Sequence, residues 1–317
     1  MAARPLSIAS FVIILVFSGV TTALQARANG ELTEHIGNGV QAALVSFMVG
    51  FVLLTIAAIV VPSIRTGLRR IPAAVRDGEL AWWALPGGLL GGTFVACQSF
   101  ATPLVGVALF SVGMIAGQMA SSLLVDRSGL SPTGVAAITG RRVVSAGLAT
   151  LAVLVAVSGE LTGADMSIVA LVVALFGGSL VAVQQALNGR INVVSRQPMA
   201  TTWVNFVFGT VGLFVGVMLG VVFLDASVSV PSSGPWWIFM GGILGLIFIA
   251  TAAWAVPQYG VLLFALVTIT GQLTAAVVLD LVVPVGDNGL HWSLVAGVLL
   301  TLVAVGLSVR SSSRNMG

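Results

Sequence analysis

Long apolar stretches separated by short polar breaks follow one another along nearly the whole chain. The breaks carry clusters of Arg, Asp, Gly and Pro, which are typical of connections between helices. The hydrocarbon core of a bilayer is ~30 Å thick, and a helix needs ~20 apolar residues to cross it. The pattern therefore predicts ten transmembrane helices, at about residues 6–24, 40–61, 80–97, 103–125, 143–157, 167–187, 201–224, 236–256, 261–283 and 292–309.

The second half of the chain repeats the first, which indicates two copies of one structural unit. A shift of 159 residues pairs Gln25, Asn29, Gly30, Val45, Phe47 and Gly50 with Gln184, Asn188, Gly189, Val204, Phe206 and Gly209. A shift of 154 residues pairs Trp82, Trp83, Gly87, Gly88, Gly91 and Phe94 with Trp236, Trp237, Gly241, Gly242, Gly245 and Phe248, and extends to Asp126 and Asp280. We therefore expect two five-helix repeats, in residues 1–159 and 160–317. Because five is odd, the second repeat must enter the membrane with inverted orientation.

The arginines test this topology, because cytoplasmic connections carry most of the basic residues in membrane proteins. All 13 basic residues are arginine, and a ten-helix chain with a cytoplasmic N-terminus places twelve of them on the inner side. Only Arg27 falls on the outer side. Nine or eleven helices would spoil this bias, so both termini are predicted to be cytoplasmic.

Composition excludes several classes of protein. With 58% hydrophobic and 7% charged residues and a mean hydropathy of +1.11, the chain has too little polar surface for a water-soluble globule, so its main partner is the lipid bilayer. The net charge of +3 forms no continuous basic patch, which excludes nucleic acid as an expected partner. One cysteine, Cys97, and two isolated histidines, His35 and His291, predict no disulfide, metal site or cofactor.

Polar side chains within the apolar stretches are the candidates for a binding site, because an unpaired polar group inside a bilayer is costly. Gln118 and Gln272 are the first candidates, since they are related by the repeat and each follows a glycine. Each lies ~20 Å into its helix at ~1.5 Å per residue, which puts the pair on opposite sides of the midplane. We expect both to bind substrate. The alternative is that they only hydrogen-bond across helices.

Two further pairs of amides recur in both repeats. Gln25 with Asn29, and Gln184 with Asn188, are spaced four residues apart and so share a helix face. They are candidates for substrate binding, although Asn-Gly is also an ordinary helix-ending sequence.

Trp254 and Tyr259 flank a short uncharged connection and are weaker candidates for substrate binding. Aromatic side chains at such positions are more commonly anchors at the membrane interface. The shortness of this connection, and of its counterpart at residues 99–103, predicts tight hairpins between helices three and four and between helices eight and nine.

Ionisable side chains are missing from the middle of every predicted helix. Asp126 and Asp280 lie close to helix ends and are candidates for coupling an ion, with a solvated terminal carboxylate as the alternative. No nucleophile and base are paired within the membrane stretches, so no catalytic residue is expected.

Several motifs resemble one known family. They are Ala23-Leu24-Gln25 with Asn29-Gly30, the run 45–50, Trp82-Trp83 through Gly91-Gly92, the run 98–106, and Gly117-Gln118 through Asp126-Arg127. Together they are similar to the YdcZ-like branch of the drug/metabolite transporter superfamily. The resemblance implies an all-α bacterial inner-membrane carrier of ten helices with a central cavity. It names no substrate. The Glu through which small multidrug-resistance relatives couple drug export to protons has no counterpart before Gln25.

These features predict a secondary transporter, not an enzyme, that moves a small metabolite or drug-like solute by alternating access. Glutamines favour an uncharged, hydrogen-bonding solute. A membrane scaffold that transports nothing is the alternative, and both a monomer and a homodimer fit the sequence.

Overall fold

The computed structural model describes residues 8–132, 134–135, 139–158, 165–229, 234–283 and 292–312. Within these ranges the chain forms nine α-helices and two short 3-10 helices at Trp82–Ala84 and Trp236–Met240. The α-helices are α1 (Ile8–Ile36), α2 (Gly39–Val60), α3 (Pro62–Arg76), α4 (Gly87–Arg127), α5 (Gly140–Val157), α6 (Asp165–Ser195), α7 (Pro198–Leu224), α8 (Gly241–Val282) and α9 (Trp292–Ser312).

Six stretches are long and apolar enough to cross a membrane, and they lie in α1, α2, α4, α6, α7 and in the first part of α8. Shorter apolar stretches occupy α5, α9 and residues 267–282 of α8. Large apolar side chains such as Ile59, Val60, Phe223 and Leu224 are largely exposed. Lipid is the solvent that suits such a surface. The protein is therefore a polytopic helical membrane protein, and the exact number of ten spans stays a prediction.

α4 contains two arms that run in opposite directions, as the short connection predicts. The chain reverses at Gly106, whose φ of 77° and ψ of 171° are outside the helical region and favour glycine. Contacts along α6 give the direction of each arm: they pair Gly177 with Cys97 and Leu187 with Gly87 in the first arm, and Leu171 with Gly113 and Ser179 with Gly117 in the second. The first arm is therefore antiparallel to α6, and the second is parallel to it.

The two predicted halves are interleaved. α1 of the first half packs mainly against α8 of the second, and α6 of the second packs mainly against α4 of the first. Glycines permit the closest approaches, and they do so at repeat-related positions. A side chain on Gly19 would collide with the carbonyl of Thr268, and one on Gly178 would collide with the carbonyl of Met114.

α3 was not predicted. It fills the connection after the second apolar stretch, where Arg-rich sequence and Pro72 suggested a loop. Its buried residues, Ile64, Gly67, Ile71 and Ala74, recur at helical spacing on one face. That face packs on α6 and α7, while Arg65 and Arg69 are exposed. The helix accounts for the extra length of this connection compared with its counterpart.

Asn-Gly does not end helices one and six, so the helix-ending alternative was wrong. α1 continues through Asn29 and Gly30 to Ile36, and α6 continues through Asn188 and Gly189 to Ser195. Both asparagine side chains are buried and take part in hydrogen bonds with other helices. Tertiary hydrogen bonding and packing hold these segments helical despite the local preference of the dipeptide.

Candidate functional site

A cavity of about 30 Å³ lies in the interior of the helix bundle, between the side chains of Gln25 and Gln184. The two glutamines are repeat-related, and each is about 95% buried, with 5% and 6% of its surface exposed. A volume of this size holds about one water molecule, whereas drug-sized ligands occupy cavities of ~300 Å³ or more. The conformation is therefore nearly closed around its centre.

Most of the cavity wall consists of repeat-related pairs. The five pairs are Gln25 and Gln184, Phe47 and Phe206, Gly91 and Gly245, Phe94 and Phe248, and Val95 and Ile249. The remaining lining residues are Ser46, Val181 and Gly242. Equivalent surfaces of the two sequence repeats thus face each other across one space.

Phe47 and Phe206 mark the centre of this arrangement, because the two members of one pair contact each other. Their ring centroids are 4.8 Å apart. Each ring also lies on a glycine of the facing helix: Phe47 of α2 packs on Gly209 of α7, and Phe206 packs on Gly50. A reciprocal contact of this kind requires a local two-fold relation between α2 and α7.

Glycine backbone supports both cavity glutamines. A Cβ atom on Gly91 would collide with Nε2 of Gln184, and one on Gly245 would lie 2.8 Å from Nε2 of Gln25. The two amides therefore occupy space that only glycine leaves free. The sequence did not single out these two glycines or the four phenylalanines as binding residues. The repeat had nevertheless paired every member of the five pairs except Val95 and Ile249.

A chain of amides holds Gln184 in place. Nε2 of Gln184 donates to Oδ1 of Asn205 at 3.3 Å, and Nδ2 of Asn205 donates to Oδ1 of Asn188 at 3.2 Å. The residue that corresponds to Asn205 in the first repeat is Ser46. Its hydroxyl is too short to bridge in the same way, and it has no hydrogen-bond partner within the described residues. Because the residue types differ, identity across the repeat could not reveal this pair.

A second cavity, of about 20 Å³, adjoins the first on the side of Asn188. It shares Gln184, Phe248 and Ile249 with the central cavity and is otherwise lined by Gln185, Asn188, Gly189, Ala252 and Ala253. The predicted topology places this side toward the cytoplasm.

Asn29 lies on the opposite side of the central cavity, and this side is packed. Nδ2 of Asn29 donates to Oε1 of Gln98 at 3.1 Å, and both residues have no exposed surface. Since Asn188 lines open space and Asn29 does not, the two sides of the cavity differ in openness.

Gln118 and Gln272 are not among the residues that line either cavity. Nε2 of Gln118 donates to Oε1 of Gln185 at 3.3 Å. Gln118 therefore contacts a residue that lines the second cavity without lining it itself. Nε2 of Gln272 donates to Oγ of Ser111 at 3.2 Å. Both contacts join neighbouring helices, which is the alternative that the sequence left open.

Comparison with known proteins identifies the family. The chain matches a family model described as "Putative inner membrane exporter, YdcZ" over residues 10–155 and 169–307. This chain belongs to the YdcZ family. Its family is a transporter family of the drug/metabolite type, located in the inner membrane, and the resemblance drawn from the motifs is confirmed.

A solved protein crystal structure is similar to this YdcZ-family chain, with a TM-score of 0.59 and 16% identity over 98% of this chain and 100% of that chain. At this identity the likeness concerns the fold alone. No curated protein matches the chain significantly.

Trp254 does not line either cavity. Its ring packs against Phe11 with a centroid distance of 6.1 Å, in an apolar cluster between α1 and α8. The side chain of Tyr259 lies outside the described residues.

Asp280 has a structural contact that sequence reasoning did not foresee. Its two carboxylate oxygens accept hydrogen bonds from the backbone N–H groups of Val107 and Ala108, at 3.1 and 2.7 Å. These N–H groups begin the second arm of α4 directly after the reversal at Gly106. A carboxylate at this point satisfies donors that a helix start leaves unpaired. The simple alternative of a solvated carboxylate is therefore wrong for Asp280. The side chain of Asp126 lies outside the described residues.

The described residues contain no group of three or more His, Cys, Asp and Glu that could hold a metal ion. The chemistry that the two cavities offer is therefore hydrogen bonding by amides next to aromatic rings.

Proposed function

We propose that this YdcZ-family protein is a secondary transporter that moves a small, uncharged, hydrogen-bonding solute by alternating access, with Gln25 and Gln184 as its binding amides. The central cavity carries this proposal, because five repeat-related pairs supply ten of its thirteen lining residues. A site that lies on a local two-fold axis can be opened to either side by two conformations of similar energy.

Inverted five-helix repeats in residues 1–159 and 160–317 explain why equivalent contacts recur. Phe94 packs against Phe110 with a centroid distance of 6.3 Å, and their counterparts Phe248 and Phe264 are 5.7 Å apart. Ten spans, counting each arm of α4 and α8 separately, put both termini on the cytoplasmic side, where the arginine distribution also places them.

The difference between the two sides of the cavity supports alternating access. Open space adjoins the centre near Asn188, whereas Asn29 and Gln98 close the other side. In the proposed cycle this conformation is closed toward the predicted outer face and nearly closed toward the cytoplasm. The opposite state opens the Asn29 side.

The binding chemistry favours a neutral solute. The cavity wall contains two amides, one hydroxyl and four phenylalanine rings, and it has no charged side chain. Amides donate and accept hydrogen bonds, and the rings supply apolar contact. A charged solute would lack a counter-ion at this depth.

Exchange in proteoliposomes tests the proposal. Vesicles containing the purified protein are loaded with a pool of small bacterial metabolites, and mass spectrometry identifies the solutes that are lost faster than from empty vesicles. Gln25→Leu and Gln184→Leu should each lower that flux at least tenfold, because each removes an amide from the binding wall.

Gln272→Leu is the matched control. Gln272 is as deeply buried as the cavity glutamines, but it bonds Ser111 away from the cavity. Flux per folded protein should therefore stay within about twofold of the wild type. If only Gln272→Leu lost flux, the binding site would lie near Gln272 and not at the central cavity. If the wild-type protein moved no solute at all, the result would favour a membrane scaffold.

A further inference from the structure

Five buried polar side chains belong to the predicted outer parts of α1, α2 and α4, three helices that pack against one another. Asn29, Gln98 and Ser99 have no exposed surface, and Ser46 and Thr102 are 1% exposed. We call these five residues the Asn29 cluster. Ser46 also lines the central cavity. A Cβ atom on Gly241 would collide with Oδ1 of Asn29 and would lie 2.8 Å from Oγ of Ser46, so the cluster adjoins the cavity wall through Ser46 and Asn29.

The Asn29 cluster is poorly satisfied in this conformation. Its one amide–amide hydrogen bond, from Asn29 to Gln98, leaves Oδ1 of Asn29 and Nε2 of Gln98 without a partner in the described part of the chain. The hydroxyls of Ser46, Ser99 and Thr102 are also unpaired there. Exchanging O and N in both amides would still leave one acceptor and one donor unpaired.

Such a group of unpaired buried atoms is unusual. Native proteins leave few buried polar groups without a hydrogen bond, and each one is costly. The cost is higher in a membrane, where lipid cannot replace the missing partner. These atoms therefore indicate a hydrogen-bonding occupant of this region in another conformation.

The fold itself does not require polar residues here, because the repeat-related region does without most of them. Gln98 and Ser99 correspond to Ala252 and Ala253, and Thr102 corresponds to Val256. Asn29 corresponds to Asn188, which is paired with Asn205. Five buried atoms of the Asn29 cluster lack a partner in the described part of the chain, whereas the lining of the second cavity contributes one, Nε2 of Gln185.

We propose that the Asn29 cluster is an outer subsite that binds a neutral group, one that both donates and accepts hydrogen bonds, when this side of the transport path opens. The subsite rests on the proposed transport function and adds a second binding site to the transport path. Amide, urea and hydroxyl groups have the required chemistry.

The charges near the cluster support a neutral ligand. Arg27 and Glu31 form an ion pair with each other at 3.1 Å. The carboxylate of Asp280 is held by the N–H groups of Val107 and Ala108. Within the described residues, the unpaired atoms of the cluster are one amide oxygen, one amide nitrogen and three hydroxyls. They match a ligand group that both donates and accepts hydrogen bonds.

Cysteine accessibility tests the subsite without knowledge of the natural solute. Ser99→Cys is made in a Cys97→Ala background, where it replaces a hydroxyl by a thiol of similar shape. Right-side-out vesicles are treated with a membrane-impermeant cationic methanethiosulfonate reagent, and the modified fraction is measured by mass spectrometry. We expect Ser99→Cys to react from the outside, because the opening of this side exposes it.

Two further single-cysteine variants make the result specific. Ser111→Cys replaces a serine that has no exposed surface and bonds Gln272, and it should stay unmodified. Val95→Cys reports on the central cavity itself. Reaction of Val95→Cys without reaction of Ser99→Cys would overturn the subsite and leave the proposed function standing. If neither reacts, both proposals fail.

A competition arm separates a binding subsite from a space that holds only water. Acetamide, a small neutral molecule with both a donor and an acceptor, should slow modification of Ser99→Cys at least twofold at high concentration. Sodium acetate at equal osmolarity should not slow it. Equal rates with and without acetamide would show a water-filled vestibule alone and would overturn the subsite.

Apolar replacement gives an independent readout. Thr102→Val removes an unpaired hydroxyl and keeps the shape of the side chain. Because the closed conformation then buries one unpaired atom fewer, its thermal unfolding temperature in detergent should not fall, while solute flux should fall at least fivefold. A lower unfolding temperature with unchanged flux would mean that Thr102 only supports packing, and would overturn its role in the subsite.

Discussion

Two glycines leave the space that the amides of the central cavity occupy. Gln184 rests against the backbone at Gly91, and Gln25 rests against Gly245, so each amide is positioned by the absence of a side chain on the facing helix. The two glycines therefore belong to the proposed binding site, although they have no functional group.

Gly91→Ala is expected to lower solute flux at least tenfold. A methyl group there would overlap Nε2 of Gln184 and force the amide out of its position. Flux in proteoliposomes and thermal unfolding in detergent are the measurements. Gly147→Ala is the control, because a methyl group at that position in α5 has no atom within 4 Å. It should stabilise the helix by about 0.5–1 kcal/mol. Equal flux in both variants would contradict the role assigned to Gly91.

Asp280 acts at the reversal of α4. Asp280→Ala removes the acceptor of two backbone N–H groups and should lower the free energy of unfolding by about 1–3 kcal/mol. Asp280→Asn keeps one acceptor oxygen and should recover part of that loss. Equilibrium unfolding in detergent checks both. If Asp280→Ala unfolded at the same denaturant concentration as the wild type, the capping contact would carry no weight.

The prediction of elements from the sequence succeeded where apolar length was the signal. The apolar stretches at 40–61 and 201–224 correspond closely to α2 and α7. α3 was missed because its polar residues hide an apolar face that is visible only at a spacing of three and four residues, namely Ile64, Leu68, Ile71 and Val75. A search for helical periodicity within the connections could have found it.

The packing of α3 can be tested at Ile71, which lies in a buried cluster with Leu187 and Ile191 of α6. Ile71→Ala should lower the free energy of unfolding by about 2–4 kcal/mol, since it leaves a cavity in that cluster. Arg69→Ala, on the exposed face of the same helix, should change it by less than about 0.5 kcal/mol. Equal effects of the two substitutions in thermal unfolding would contradict the amphipathic docking of α3.

The whole molecule shows what the repeat could and could not predict. Identity between the halves singled out Gln25, Gln184, Gln118 and Gln272 as buried amides, but it did not tell which pair faces the centre. That choice depends on which helix packs against each face. α1 and α6 turn Gln25 and Gln184 toward the facing glycines, whereas Gln118 and Gln272 point to neighbouring helices.

The departures from symmetry were also beyond prediction. In the repeat, Ser46 corresponds to Asn205 and Gln98 corresponds to Ala252. The two sides of the cavity therefore have different hydrogen bonds, although their backbones are related by the repeat. When two corresponding residues differ in type, the sequence alone does not indicate that both lie at the same cavity. These differences allow one conformation to be closed on the Asn29 side while space remains on the Asn188 side.

The proposed transport cycle requires the Asn29 side to open and close around the cavity. Pulsed electron spin resonance can measure this movement between spin labels at two positions on that side, Glu34 of α1 and Phe100 in the first arm of α4, both of which are exposed. With Glu34→Cys and Phe100→Cys in a Cys97→Ala background, alternating access predicts two distances between the labels in lipid nanodiscs. The shorter belongs to the conformation described here, and the relative populations should shift when the solute found by exchange is added. A single distance that stays unchanged with and without that solute would contradict alternating access at this cavity.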